Sequence, residues 1–172
     1  MTKPTTIAAA LTAAAAAAAP QAEAAVTDAD ALEGAVAREV NEARAEHGLP
    51  AYKVSYSLSR AAEAKSRSMG ARGYFSHYDP GGRPFWKQVA VYYTVSGYSS
   101  WKVGQALLWT APPLAPRTIV ERWLASPTHR AVLLHPGFRE VGIGAVRATH
   151  ATGVYAGQNV TILTLDTGYR RR

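Results

Sequence analysis

The chain has 172 residues, 19 Lys plus Arg against 12 Asp plus Glu, a formal net charge of +7, 48% hydrophobic content and no cysteine. That balance excludes a disordered polyampholyte and suits one globular domain. The missing cysteines exclude disulfide staples, Cys-based zinc sites, a thiol nucleophile and a lipid anchor through an N-terminal lipobox cysteine.

From Ile7 to Ala19 the sequence is almost pure alanine. Lys3 supplies a positive start, Pro20 breaks the run, and Ala22-Glu23-Ala24 offers the small-x-small pattern that signal peptidase reads. An export leader over 1–24 is therefore expected, cleaved after Ala24, with a secreted, extracellular product. The run is too short for the ~20 apolar residues a bilayer requires, so no transmembrane segment is expected. What remains is a domain of roughly 150 residues, a size at which about 70% of the unfolded surface is buried and no staple is needed. From Ala25 to Glu46 there are six acids and two bases, and from His47 onward 16 bases and five acids. Arginine outnumbers lysine 14 to 5, a bias that genome composition produces as readily as nucleic-acid binding, and no nucleic-acid partner is expected.

Leu32, Val36, Val40 and Ala43 recur at helical spacing, Asp30 and Glu33 form a capping-box pattern, and Gly48 with Pro50 ends the run, so a helix is expected over 30–47. A second helix is expected over 58–72, its narrow face made of Leu58, Ala61, Ala62, Lys65 and Met69, with Gly73 as its stop. Asp79-Pro80-Gly81-Gly82 marks a turn after Tyr74-Phe75-Ser76-His77, and Pro84 opens a short helix through Phe85, Val89 and Tyr92 or Tyr93. Val103 to Trp109 reads as a strand, and Ile119, Val120, Trp123 and Leu124 share one helix side. Ser126-Pro127 restarts a helix with His129 near its N-terminus. Val141 to Ala148 and Val154 to Asp166 read as antiparallel strands, followed by a frayed basic tail over 168–172. One domain over 25–167 of α+β class follows.

Two of the five histidines sit in specific settings. Val40-Asn41-Glu42-Ala43-Arg44 with His47-Gly48-Leu49, Phe75-Ser76-His77, Val103-Gly104-Gln105-Ala106, and the block Trp123-Leu124-Ala125-Ser126-Pro127-Thr128-His129-Arg130 running into Val141-Gly142-Ile143-Gly144 occur in that order. Together they resemble the CAP superfamily (cysteine-rich secretory proteins, antigen 5, pathogenesis-related 1), specifically its cysteine-free bacterial SCP-like extracellular branch. The resemblance covers about Val36 to Gly168. It implies a three-layer α-β-α sandwich around a small, mostly antiparallel sheet, with a cleft where two histidines meet acidic residues able to hold a divalent metal. The histidines carry over to His77 and His129. The two family carboxylates fall on Gln105 and Ser126, so His77, Gln105, Ser126 and His129 form the expected ligand cleft with two imidazoles and no anion. Losing the carboxylates removes the charge that offsets desolvation of an ion. No resident cofactor is expected, and zinc or calcium would have only His77 and His129 to bind it. Gln105 can instead bridge the imidazoles by hydrogen bonds.

Other patterns receive plainer readings. Ser76, His77 and Asp79 are too close in an extended segment to converge as a triad. Gly97-Tyr98-Ser99-Ser100-Trp101 lacks the second glycine of a nucleophile elbow. His47 and His150 are expected at solvent, and Asn159-Val160-Thr161 lies in an expected core strand. Ten aromatic residues fall between Tyr74 and Trp109, interleaved with Arg72, Arg83, Lys87 and Lys102. Each ring is expected in the core more than against a ligand.

The expected function is a monomeric, non-enzymatic binding module whose cleft takes a small apolar or cell-envelope-derived ligand, or a protein partner. One alternative is a peptide or ester hydrolase using His129 as general base, with His77 or a captured metal polarising the substrate. Another is a cationic surface protein that holds anionic polymers through its arginines.

Overall fold

The computed structural model describes residues 24–172, and the expected leader lies outside them. β1 (Ala25–Asp28) precedes α1 (Asp30–Glu46), followed by β2 (Lys53–Val54), α2 (Tyr56–Arg72) and α3 (Phe85–Val89). β3 (Ser100–Thr110), α4 (Pro116–Ala125), α5 (Pro127–Leu133), β4 (Glu140–Ala151) and β5 (Gln158–Arg171) complete the chain. The sheet runs β1-β4-β5-β3, with antiparallel pairing along that path and β2 added in parallel to β4. β3 is therefore an edge strand.

Strand alternation assigns the two faces. Ala106, Ile143, Ala145, Leu163 and Leu165 pack with Val36 and Val40 of α1, Ile119 and Trp123 of α4 and Leu133 of α5. The opposite face carries Leu107, Val146 and Ile162 under Met69 of α2. Leu58 and Ala61 of α2 gather with Val89 and Tyr93 beside them. This is the α-β-α sandwich. α2 lies unusually close: a Cβ on Gly142 would overlap the Leu58–Ser59 peptide, and one on Gly144 the Ala62–Glu63 peptide. Ser66 completes the contact, its Oγ donating to Gly144 O at 2.8 Å and lying 2.8 Å from Thr164 Oγ1.

Several expectations need correction. The Asp30–Glu33 capping box is not made: Ala29 is the N-cap without a side-chain bond. The Glu33 carboxylate instead accepts from Ala145 N at 2.8 Å, tying α1 to β4. Val154 belongs to a 3-10 turn, because Gly153 and Gly157 adopt φ of 61° and 77° and Val154 N donates to Gly73 O at 3.0 Å. Residues 168–171 are not a frayed tail. They extend β5, with Ser100 opposite Arg171 and Lys102 opposite Tyr169, and Arg139 N donating to Gly168 O from the other side at 2.9 Å. Their charge hid the two-residue alternation. β1 and β2 are too short to stand out in the sequence. The stop at Gly73 is as expected, with φ of 64°.

Gly144→Ala forces α2 off the sheet, and urea unfolding is expected to show a loss of about 3 kcal/mol. Gly34→Ala on the exposed side of α1, where the new Cβ meets only the Arg38 guanidinium at 3.8 Å, is expected to gain about 1 kcal/mol. Equal effects at both positions would contradict the close approach.

Candidate functional site

The edge strand β3 carries Gln105, and the register places it opposite Asp166, which in turn lies opposite Gly142 of β4. Both side chains point to the α2 face, where Gly142 lets α2 seal Asp166 from solvent. The carboxyl is fully buried. Gln105 Nε2 donates to Asp166 Oδ1 at 3.0 Å, while Oδ2 has no partner. Burial pushes the Asp166 carboxyl up to about 7, opposed by the Gln105 hydrogen bond and the Lys65 charge. Lys65 on α2 is also buried, which brings its ammonium down to about 8 against the pull of Asp79 and Asp166.

Gln105 has two ends, and Asp166 decides which way they point. With Nε2 given to the carboxylate, Oε1 faces His77 Nδ1 at 2.9 Å. A carbonyl oxygen only accepts, so Nδ1 carries the proton and His77 Nε2 is left with its lone pair in the neutral ring. The loop bearing His77 is held at several points. Lys65 Nζ donates to Tyr78 O at 3.1 Å, Gln88 Nε2 to His77 O at 3.3 Å, and Tyr155 Oη to Tyr74 O at 2.8 Å. Phe85 meets the His77 ring edge to face, with centroids 5.9 Å apart. Asp79 closes the following turn by accepting from Gly81 N and Arg83 N, both at 2.9 Å. It is committed to that turn, so Ser76, His77 and Asp79 form no triad.

His129 approaches from the other layer. α5 packs under the opposite face, and its first turn reaches the β3 edge, where His129 is half-buried. Burial and then the neighbouring His77 hold its imidazole below the ordinary value. His77 and Gln105 are thus hydrogen-bonded at the β3 edge, and His129 lies near enough for the His77 imidazole to influence its own. α5 is seated by Arg44, fully buried, which donates from Nη1 to Leu133 O at 2.8 Å and lies 3.6 Å over the Tyr52 ring. Ser126 stands at the α4–α5 junction with φ −92° and ψ 120°, and its hydroxyl makes no cap bond. Its expected capping role is not realised.

Asp166 and Lys65 are the site residues missed in the sequence. The lone acid at the end of the Val160-to-Asp166 apolar run was the available signal for one of them. The aromatic expectation is corrected as well. Tyr93 is fully buried, but Phe75, Tyr78, Trp86 and Tyr92, on the segment that carries His77, are exposed.

Gln105 Oε1 is taken by His77 Nδ1 and the Asp166 carboxylate is sealed beneath them, so a divalent ion would have only the imidazoles to hold it. Among the described residues, no three His, Cys, Asp or Glu side chains group for a metal. Another hollow of about 230 Å³ lies between α1 and β4, lined by Ala37, Asn41, Val54 and Ile143 and remote from the histidines. Its amide, Asn41, is already paired with the Tyr52 backbone on both sides.

The described residues thus form helices packed on both faces of one mostly antiparallel sheet. The family model described as "CAP: Cysteine-rich secretory protein family" matches residues 37–161, and the chain belongs to that family. It is 32% identical over 127 residues to the uncharacterized protein YkwD of Bacillus subtilis, covering 72% of this chain and 46% of that protein. The chain thus spans about half the length of that relative. An extracellular protein containing a SCP domain from Bacillus anthracis shares the fold at TM-score 0.63 and 20% identity, over 83% of this chain and 41% of the other. An outer surface protein of Borrelia burgdorferi does so at TM-score 0.65 and 17% identity, over 86% and 98%. The chain is a CAP-domain protein of the bacterial SCP-like branch. Among its described residues no helix is long and apolar enough to cross a membrane.

The raised Asp166 carboxyl makes a signed prediction. Between about pH 4 and 7 the folded state holds a proton that the unfolded state has released. This contribution to stability is therefore fully present at low pH and is lost as pH rises toward 7. Relative to wild type, Asp166→Asn is expected to gain stability across that window, by up to about 4 kcal/mol. Urea unfolding of both proteins at pH 4 and pH 8 reads the difference, and parallel pH dependences would show that Asp166 does not titrate there.

Proposed function

We propose that the chain is an exported, non-enzymatic binding module and that the cleft at the β3 edge is its ligand site. The observation that carries this reading is the fixed hydrogen-bond polarity of His77. Asp166 orients Gln105, Gln105 orients His77, and the free Nε2 is presented as an acceptor beside a second imidazole that favours its neutral form. Phe85 meets the His77 ring, and exposed Phe75, Tyr78, Trp86 and Tyr92 lie on the same segment of chain. A cleft with neutral acceptors and an apolar rim suits a small, largely apolar molecule carrying a hydroxyl or amide donor.

The hydrolase reading needs a group that stabilises developing negative charge or activates water strongly. The identified parts are two imidazoles, one of them anchored through a neutral amide. Extracellular placement draws support from the expected leader and from the surface and extracellular descriptions of the structural relatives. A cell-envelope-derived ligand is the natural consequence of that placement.

Two measurements test this reading. Chromogenic peptide and ester substrates are expected to turn over no faster with the wild type than with a His77→Ala/His129→Ala double variant. Hydrolysis abolished by His129→Ala would refute the binding-module assignment. Calorimetric zinc titration is expected to show no micromolar site in the wild type. Gln105→Glu is expected to gain about tenfold or more in zinc affinity, and the gain should vanish when His129→Ala is added.

A further inference from the structure

The basic surplus after His47 has a location. Four of the five acids in that part are paired: Glu63 with Arg67 at 3.7 Å, Asp79 with Arg83 at 3.1 Å, Glu121 with Arg117 at 3.2 Å and Glu140 with Arg170 at 3.6 Å. The fifth, Asp166, is buried under α2. At the end of the sheet where β5 finishes, a groove of about 480 Å³ is lined by Lys102, Arg139, Tyr169, Arg171 and His135, and by Arg170, whose guanidinium is paired with Glu140, with no carboxylate among the lining residues.

Strand alternation creates this arrangement. Arg170 turns to the α2 face, where it lies 3.9 Å over Tyr93, donates to Thr94 O at 3.0 Å and pairs with Glu140. Lys102, Tyr169 and Arg171 fall on the opposite face, together with Arg139 just ahead of β4. Lys102 is in register with Tyr169, and Arg139 is bonded through its backbone to Gly168. These two cations thus flank β5, about 10 Å apart at two strand spacings, and Arg171 stands roughly 7 Å further along β5. All three are exposed. Phe138 lies beneath the Lys102 ammonium at 6.0 Å, and Arg139 Nη1 is anchored on Phe138 O at 2.9 Å. His135 beside them is held below the ordinary imidazole value, by burial first and then by Lys102 and Arg44.

Arginine forks and a lysine point charge match phosphate oxygens. Three cations set 7 to 10 Å apart exceed the reach of one phosphate and suit successive phosphates of a flexible chain. Tyr169, half-buried, and His135, already tilted against Phe138 with centroids 4.3 Å apart, are the rings in the lining. The groove therefore offers no platform for stacking a run of bases, which favours a base-free phosphate chain over nucleic acid. We propose that this end of the sheet is a binding site for a phosphate polymer, held by Lys102, Arg139 and Arg171 and independent of the histidine cleft.

The test uses fluorescently labelled long-chain inorganic polyphosphate as probe and anisotropy as readout. Log affinity is expected to fall against log salt with a slope near −2, from about 0.7 per phosphate contact at three cations. The variant Lys102→Gln/Arg139→Gln/Arg171→Gln is expected to bind at least about tenfold more weakly with an unchanged melting temperature. The control Arg60→Gln/Arg117→Gln/Arg122→Gln, which loses the same charge elsewhere, is expected to bind as wild type. Polyphosphate is also expected to raise the pH at which the His135 imidazole protonates, read by NMR. Unchanged affinity in the groove variant, or an equal loss in the control, would overturn the site. Polyglutamate or oligodeoxythymidine binding as tightly as polyphosphate would overturn the ligand class.

Discussion

The backbone of α2 lies directly on the backbone of β4, and most of the chemistry of this molecule follows from that contact. It exists because Gly142 and Gly144 put no side chain on one face of β4. Had either carried a methyl group, α2 would stand off and water would reach Asp166. With α2 down, Asp166 is sealed, Ser66 is drawn onto the Gly144 carbonyl, and buried Lys65 holds the Tyr78 carbonyl of the loop that carries His77. A buried carboxyl with one bonded and one unbonded oxygen is costly. Here it sets the direction of the Gln105 amide, and through that amide the proton position on His77. The constraint runs from two missing side chains to the hydrogen-bond polarity of His77 at the β3 edge of the sheet.

The helices were legible because their signals are local: apolar spacing in α1 and α2, Gly73 as a left-handed stop, and Pro116 and Pro127 at first turns. The family was legible through the ordered motifs around His77 and His129. Features that depend on distant partners were not. Asp166 reads as the end of a core strand until its register with Gln105 and Gly142 is known. Glu33 reads as a cap partner, but Ala145 N competes for its carboxylate and wins. The 168–171 segment reads as a tail because three arginines in a row after Tyr169 mask the alternation that the neighbouring strands enforce. Exposed Phe75, Tyr78, Trp86 and Tyr92 go against the usual burial of rings, and they do so on the segment that supports His77.

The sheet separates two kinds of surface. On its α2 side and at the β3 edge, polar groups are paired inward, and exposed rings lie on the segment that carries His77. On the other side, at the end of β5, cations face outward without acids. A shared fold does not decide function, and in this chain the two surfaces rest on different residues. Gln105 shapes the first and Lys102, three residues earlier on the same strand and on the opposite face, shapes the second. Each surface can therefore be altered while the other is left intact.

The orientation of His77 by Asp166 through Gln105 is the centre of this account, and long-range ¹H–¹⁵N NMR of the imidazole nitrogens near pH 7 examines it most directly. The account predicts that neutral His77 carries its proton on Nδ1, with Nε2 unprotonated and open to the cleft. Finding the proton on Nε2 would mean that the Gln105 amide points the other way. The Asp166–Gln105–His77 line would then not be what organises the site.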